Sequence, residues 1–377
     1  MSKSYSEIPH YWTVGIIPEN STSPVYGGCM AEGTDFDNNL KLEDEEVTGH
    51  TGTKTLKLDS ERVSMTAEPE YECKPIFGQL FEDYFYMLLG SSTKSDAIAL
   101  TDAKSQTLNA YNWTFYQDIL NPKPLPRSTI INGYNVVESG VSTNASLYDN
   151  ALMSEFEIKI SDKGMTLAPK WVSNAPLIDQ PNPARVTQST WSRLGTEGLH
   201  VYIADYGTGL DTADATALEA AEVNCLLSFE DKFETNPSED ACLGNAFGTS
   251  QADEGEFSDK GKMEMKWNQE SRHLINKWYA GSSTGTKPTT DSCFQELYLV
   301  FEGKTLGTTT VTPNTVTKEQ FSLYYPKILL SKSETTESGD GTKPVKLEFN
   351  IVQDGTKSAI TAKFTSKLEA LHFGTAA

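Results

Sequence analysis

The sequence predicts a mainly β protein: two tandem β-domains of the sandwich or open-barrel kind, each with one flanking α-helix. Three observations predict it. Short sequences recur in the same order about 190 residues apart, apolar and polar residues alternate over most of the chain, and helical periodicity is confined to two segments.

Phe36-Asp37-Asn38-Asn39-Leu40 is echoed by Phe229-Glu230-Asp231-Lys232-Phe233, Leu89-Gly90-Ser91-Ser92-Thr93 by Ala280-Gly281-Ser282-Ser283-Thr284, and Glu155-Phe156-Glu157-Ile158 by Glu348-Phe349-Asn350-Ile351. The offsets are 193, 191 and 193 residues, and their near constancy argues for one domain duplicated in tandem. A chain of 377 residues has room for two cores of ordinary size without disulfide staples.

Taken in order, Arg62 to Glu72 reads as a strand, and Phe77, Leu80, Phe81, Tyr84, Phe85 and Leu88 form one apolar stripe of a helix that Gly90 stops. Tyr111 to Tyr116 and the alternation of Phe156, Ile158 and Ile160 with Glu155, Glu157 and Lys159 predict strands. Pro169, Pro176, Pro181 and Pro183 then cluster, giving a first domain over 1–175, a proline-rich linker over 176–195 and a second domain over 196–377. In the second half, strands are expected at Val201 to Ala204, Val223 to Phe229, Lys262 to Trp267, Leu297 to Phe301, Phe321 to Leu330, Leu347 to Ile351 and Ala359 to Phe364. Its helix is expected over Glu270 to Ala280, before Gly281, with Leu274, Ile275 and Trp278 on one face. Two excursions at matching positions, Asn38 to Lys57 and Thr235 to Glu256, read as long Gly-containing loops that partners would order.

Acidic residues number 52 against 31 Lys plus Arg, and the net charge of -21 argues against a surface built to neutralise a nucleic-acid backbone. A wall that repels phosphates is compatible with DNA moving past without sticking. The five cysteines are odd in number, far apart and without Cys-x-x-Cys spacing, which fits reduced thiols better than a disulfide framework or zinc site. No stretch has the length of a membrane span and the N-terminal residues lack an apolar leader core, so assembly in a cytoplasm without classical secretion is expected.

Catalytic signals are absent. His10, His50, His200, His273 and His372 belong to no recognisable motif, and the chain has no Gly-x-Ser-x-Gly elbow, Walker loop or His-Glu-x-x-His helix. Ser338-Gly339-Asp340-Gly341 and Gln353-Asp354-Gly355 lack the alternating ligands of a calcium loop and read as tight turns. No metal, cofactor or enzymatic activity is expected. Tyr111, Trp113, Phe115 and Tyr116 fit either core packing or an aromatic platform for sugars.

In each half the order is a Phe-Asp or Phe-Glu strand end, a long loop, a strand, a helix ending in Gly-Ser-Ser-Thr, and strands closing with Glu-Phe-x-Ile. This layout resembles the major tail tube proteins of long-tailed bacteriophages and related viruses. The second half carries the resemblance best, through Leu226-Leu227-Ser228-Phe229-Glu230, Gly255-Glu256-Phe257-Ser258, Gly261-Lys262-Met263-Glu264-Met265 and the helix ending near Trp278; Tyr111-Asn112-Trp113-Thr114-Phe115 fits the pattern in the first. The resemblance spans about residues 25 to 170 and 222 to 370 and is one of pattern. It implies a non-enzymatic virion component, assembled in the host cytoplasm, whose strands build a β-barrel around a channel for genome passage. A tandem version implies a homotrimer, three chains forming a pseudo-six-fold ring that stacks on itself. Implied partners are other copies of the chain, the tail-tip, tape-measure and terminator proteins, and DNA passing without specific binding, with no membrane partner. Candidate channel-facing residues are Glu68, Glu70 and Glu72, with Glu254 and Glu256 in the second half, each set spaced two apart so as to share a strand face and make an acidic wall. A tail-tip, baseplate or terminator component and a carbohydrate-binding β-sandwich protein fit the same sequence as alternatives.

Overall fold

The structure is a computed structural model and describes residues 10–18, 25–26, 36–37, 40–51, 54–77, 80–136, 143–174, 176–181, 198–224, 226–240, 251–253, 257–285, 287, 289, 292–310, 315–335, 344–355 and 357–373. The first half contains β1 (His10–Pro18), β2 (Val25–Tyr26), β3 (Phe36–Asp37), β4 (Leu40–Thr51), β5 (Lys54–Ala67), β6 (Glu70–Tyr71), α1 (Leu80–Leu89), β7 (Ser91–Lys94), β8 (Ile98–Thr101), β9 (Thr107–Tyr116), β10 (Ser128–Val136), β11 (Thr143–Ser161), β12 (Gly164–Asn174) and β13 (Leu177–Pro181). The second contains β14 (Leu199–Asp205), α2 (Ala215–Ala221), β15 (Leu226–Glu234), β16 (Ser238–Asp240), β17 (Gln251–Asp253), β18 (Ser258–Lys266), α3 (Gln269–Ala280), β19 (Phe294–Thr309), β20 (Val316–Thr335), β21 (Pro344–Ile351) and β22 (Thr361–Ser366). The fold is mainly β, as the alternation predicts, and every strand pairing is antiparallel.

The two halves have the same strand order. In the first, β1 pairs β10, β10 pairs β11, β11 pairs β12 and then β13, β12 pairs β6, and β6 pairs β3. In the second, β14 pairs β19, β19 pairs β20, β20 pairs β21 and β22, β21 pairs β18, and β18 pairs β15. Even an irregularity is repeated: the β11–β12 ladder bulges between Met153 and Glu155, and the β20–β21 ladder between Leu330 and Lys332. Ser154 and Ser331 are therefore equivalent positions. The first two echoes fall on equivalent elements, β3 with β15 and the ends of α1 and α3. The third does not, because Glu155-Phe156-Glu157-Ile158 lies on β11 and Glu348-Phe349-Asn350-Ile351 on β21, whereas β11 corresponds to β20. The near-equal offset of that echo is a coincidence of strand composition. Between α1 and β10 the first half carries the extra strands β7, β8 and β9, which shorten the offset after the helix.

α1 and α3 each end on a left-handed glycine, Gly90 at φ 77° and Gly281 at φ 75°, whose N–H groups donate to Tyr86 O and Lys277 O. They differ in setting. α3 opens with a capping box between Asn268 and Ser271 and lies with one face against the core. All ten residues of α1 are buried. The rings of Phe81 and Phe85 meet Phe156 of β11, Phe321 of β20 and Phe364 of β22, with centroids 4.8 to 5.4 Å apart. One helix of the first half thus serves strands of both, and a single cluster of buried side chains runs through the two.

Two expectations are corrected here. Asn38 to Lys57 contains β4 and the first residues of β5, which pair as a hairpin that runs on to Ala67, and Thr235 to Glu256 contains the paired strands β16 and β17, with 38–39, 52–53, 241–250 and 254–256 outside the described residues. Both excursions continue ladders already begun, β3–β6 and β15–β18, so they are long hairpin arms. Apolar alternation, by which a strand is recognised in sequence, is brief in the first arm, at Leu40 and Leu42 and again at Leu56 and Leu58, and absent from β16 and β17. The stretch expected to be a linker begins as β13, which pairs the first part of β11, and 182–197 lie outside the described residues. The inserted strands add a further link: β8, β9, β22, β20 and β19 pair in a closed ring, a five-stranded antiparallel barrel built from both halves.

Candidate assembly interface

The first part of β11 has β10 along one edge and β13 along the other; its last part has β15 in place of β10 and β12 in place of β13. The β11–β15 ladder runs from Glu155 opposite Glu234 to Ile160 opposite Phe229. It joins a strand of the first repeat directly to a strand of the second. Thr235 closes its end, donating its N–H to Ser154 O at 2.9 Å and its hydroxyl to Met153 O at 2.6 Å, so the bulge at Ser154 is used to receive the second repeat. Phe156 and Phe233, both fully buried, stack across the joint at 6.3 Å.

The equivalent edges at the two ends of the chain are open among the described residues. β20 is covered by β19 only as far as Leu329, so the edge of Leu330 to Thr335, equivalent to the part of β11 that receives β15, has no strand beside it. β3 and β4, equivalent to β15, are paired on one side only, by β6 and β5. The ladders carry the correspondence residue by residue: Glu155 matches Lys332, Lys170 matches Glu348, Glu70 matches Lys262 and Asp37 matches Glu230.

The joined sheet has one buried face, with Phe156, Ile158, Phe229, Phe233, Met263, Met265, Leu347 and Phe349, and one polar face. On β11, β15, β18, β21 and β20 that polar face holds seven lysines (Lys159, Lys232, Lys260, Lys262, Lys266, Lys332, Lys346) and seven glutamates (Glu155, Glu157, Glu230, Glu234, Glu264, Glu334, Glu348). One row across five strands reads Lys159, Glu230, Lys262, Glu348, Lys332, each directly opposite the next. Opposite charges facing across a ladder stabilise it by about 0.2–1 kcal/mol per pair, at the low end when exposed. At the joint, Lys232 lies 2.9 Å from Glu155 and 2.8 Å from Glu234. Burial alone would lower the Lys232 pKa, but hydrogen bonds to both carboxylates more than offset it and the net shift is upward. Glu234 is lowered in turn, chiefly by its hydrogen bond from Lys232.

Three of the candidate glutamates, Glu68, Glu70 and Glu72, border this face. Glu68 lies 3.0 Å and Glu70 3.9 Å from Lys170 of β12, Glu72 is exposed and acts electrostatically on Lys159, and Glu254 and Glu256 lie outside the described residues. The face they border carries as many lysines as glutamates, unlike the uniformly acidic wall that net charge suggested, and opposite signs meet in rows such as Lys159, Glu230, Lys262, Glu348 and Lys332, although Glu155 faces Glu234 and Lys232 faces Lys260. Glu68, Ser154, Glu155, Lys170, Glu234 and Pro237 line a cleft of about 450 Å³ at the joint.

Other expected positions are structural. Tyr111, Trp113 and Phe115 are buried, and the Trp113 indole donates to Leu368 O at 2.8 Å, so they pack the core instead of presenting a platform. The Asp354-Gly355 turn has Gly355 at φ 58°, while Ser338 to Gly341 lie outside the described residues. Cys73 is buried and Cys293 half-buried. His200 pairs with Glu222 at 2.8 Å and His372 with buried Asp83 at 2.6 Å. Among the described residues no helix is long and apolar enough to cross a membrane, and no group of three or more His, Cys, Asp or Glu could hold a metal ion. The sequence matches no family model and no curated protein.

Proposed function

We propose that the chain is a structural, non-enzymatic subunit of a viral tail tube that polymerises by extending between chains the strand joint it already makes within itself. The β11–β15 ladder carries this reading. A protein whose first and last edges are equivalent to the two sides of an internal joint has a heterologous, head-to-tail interface, which yields a ring if the rotation closes. Exposed strand edges are an aggregation hazard unless they have a dedicated partner. Three chains supply the six repeats of a pseudo-six-fold ring, with the polar face of the continuous sheet toward the channel and α1 on the buried side. Five of the seven lysines on that face, Lys159, Lys232, Lys262, Lys332 and Lys346, are opposed by a glutamate, which leaves little free cation for a phosphate and suits DNA that must slide without being held.

Equivalence fixes the register of the joint between chains. Phe156 faces Phe233 within the chain, so Ser333 should face Leu40 of the next copy. Cysteines placed at these two positions should oxidise to a covalent ring in purified assemblies, because directly opposed strand residues fall within disulfide reach. The one-residue register control, Glu334→Cys with Leu40→Cys, should cross-link poorly. Equal cross-linking by both pairs, or a monodisperse monomer with no rings or tubes by negative-stain electron microscopy, overturns the reading.

A further inference from the structure

Within the buried face of β15, one side chain breaks the apolar pattern. Asp231 is 0 % exposed between Phe229 and Phe233, opposite Ile158 of β11 and Gly261 of β18. Its diagonal neighbour on β18 is Asp259, opposite Phe233. The two carboxyls interact electrostatically across this diagonal, and Tyr325 of β20 donates its hydroxyl to Asp231. The remaining oxygen of Asp231 and both oxygens of Asp259 are shielded from solvent and receive no hydrogen bond from a donor among the described residues. The other recorded polar group at the pair is the backbone N–H of Lys232, while β21 contributes the apolar ring of Phe349. The Lys232 ammonium lies on the opposite face, with Glu155 and Glu234.

We propose that Asp231 and Asp259 share one proton in the folded chain and act as a pH-responsive latch on β15, the strand that joins the repeats. Two carboxylates in contact away from water cannot both remain ionised without a cation, and the groups facing them are a phenol, an amide and hydrocarbon. With one proton between them they form a single hydrogen-bonded unit, and titration belongs to the pair. Burial pushes both carboxyls up, Asp259 further, where the charge of Asp231 adds to the effect. The folded chain therefore keeps a proton that the unfolded chain releases near the ordinary Asp value of about 3.9. Stability is greatest below that value and falls as pH rises toward the folded value, up to tenfold in the folding constant per pH unit. The inference does not depend on tube formation.

The test follows unfolding of the full chain against pH for the wild type and for Asp259→Asn, whose amide supplies the missing donor. Asp231→Asn serves as a second variant, and infrared spectroscopy of the wild type needs no variant to fold. The expected result is a protonated-carboxylic-acid band that persists in the folded wild type at neutral pH, is lost in Asp259→Asn, and accompanies a decline of wild-type stability with pH relative to the variant. Absence of that band from the wild type overturns the proposal, as do parallel pH profiles. Stabilisation of the wild type at neutral pH by calcium or sodium chloride, abolished by Asp259→Asn, also overturns it and assigns the pair to a cation.

Discussion

Replacing Gly261 with alanine should destabilise the protein although the change is a single methyl group. Gly261 faces Phe349 across the β18–β21 ladder, and a Cβ at Gly261 would lie 1.9, 2.3 and 2.5 Å from three atoms of that ring. Phe349 is 1 % exposed and packed by Phe229 and Tyr325, so it cannot swing away cheaply. Overpacking of this kind costs about 1–3 kcal/mol. Phe349→Ala alone should cost about 3–5 kcal/mol through lost burial and a cavity. In the double variant the clash is gone and the new methyl occupies part of the cavity, so the two changes should cost less than their sum by about 1–3 kcal/mol. Urea unfolding followed by tryptophan fluorescence, with the cycle completed at one pH, measures each term. If Gly261→Ala is within about 0.5 kcal/mol of wild type, or the cycle is additive within that margin, the packing argument is wrong.

Two other local arrangements give equally direct expectations. His372, on the last described stretch, bonds buried Asp83 of α1; burial lowers its pKa, but the Asp83 hydrogen bond and charge more than offset this and raise it above the usual value. A raised folded pKa means the contribution is fully present below about 6.5 and is lost as pH rises through the folded value, so His372→Gln should lose stability relative to wild type in acid and much less in base, read by denaturation at paired pH values. Glu296, 2 % exposed, accepts N–H groups from Gly207, Gly209 and Leu210 at 2.8 to 3.0 Å and so holds the turn after β14. Glu296→Gln turns an amide donor toward those donors and should cost about 2–3 kcal/mol, with faster hydrogen exchange at the three amides; unchanged exchange there would refute the assignment.

The sequence by itself determined what depends on local pattern. Phe156, Ile158 and Ile160 alternating with charge could only be a strand with one buried face, the stripe from Leu80 to Leu88 with Gly90 after it could only be a short helix, and the echoes around Phe36 and Gly90 marked the duplication. Tertiary structure decided everything that depends on which strand lies beside which. The polar hairpin arms carry little apolar alternation and became strands because each had a partner strand in register. Glu155-Phe156 and Glu348-Phe349 look alike, yet they belong to non-equivalent strands, since equivalence is a property of ladders and not of spelling. The balanced rows of lysine and glutamate, the joint of β11 to β15 and the meeting of Asp231 with Asp259 are pairings between residues distant in the chain. Composition reported a large acidic excess but not where it lies. A one-residue change of register would move every one of these side chains to the other face, so no reading of one strand at a time could have placed them.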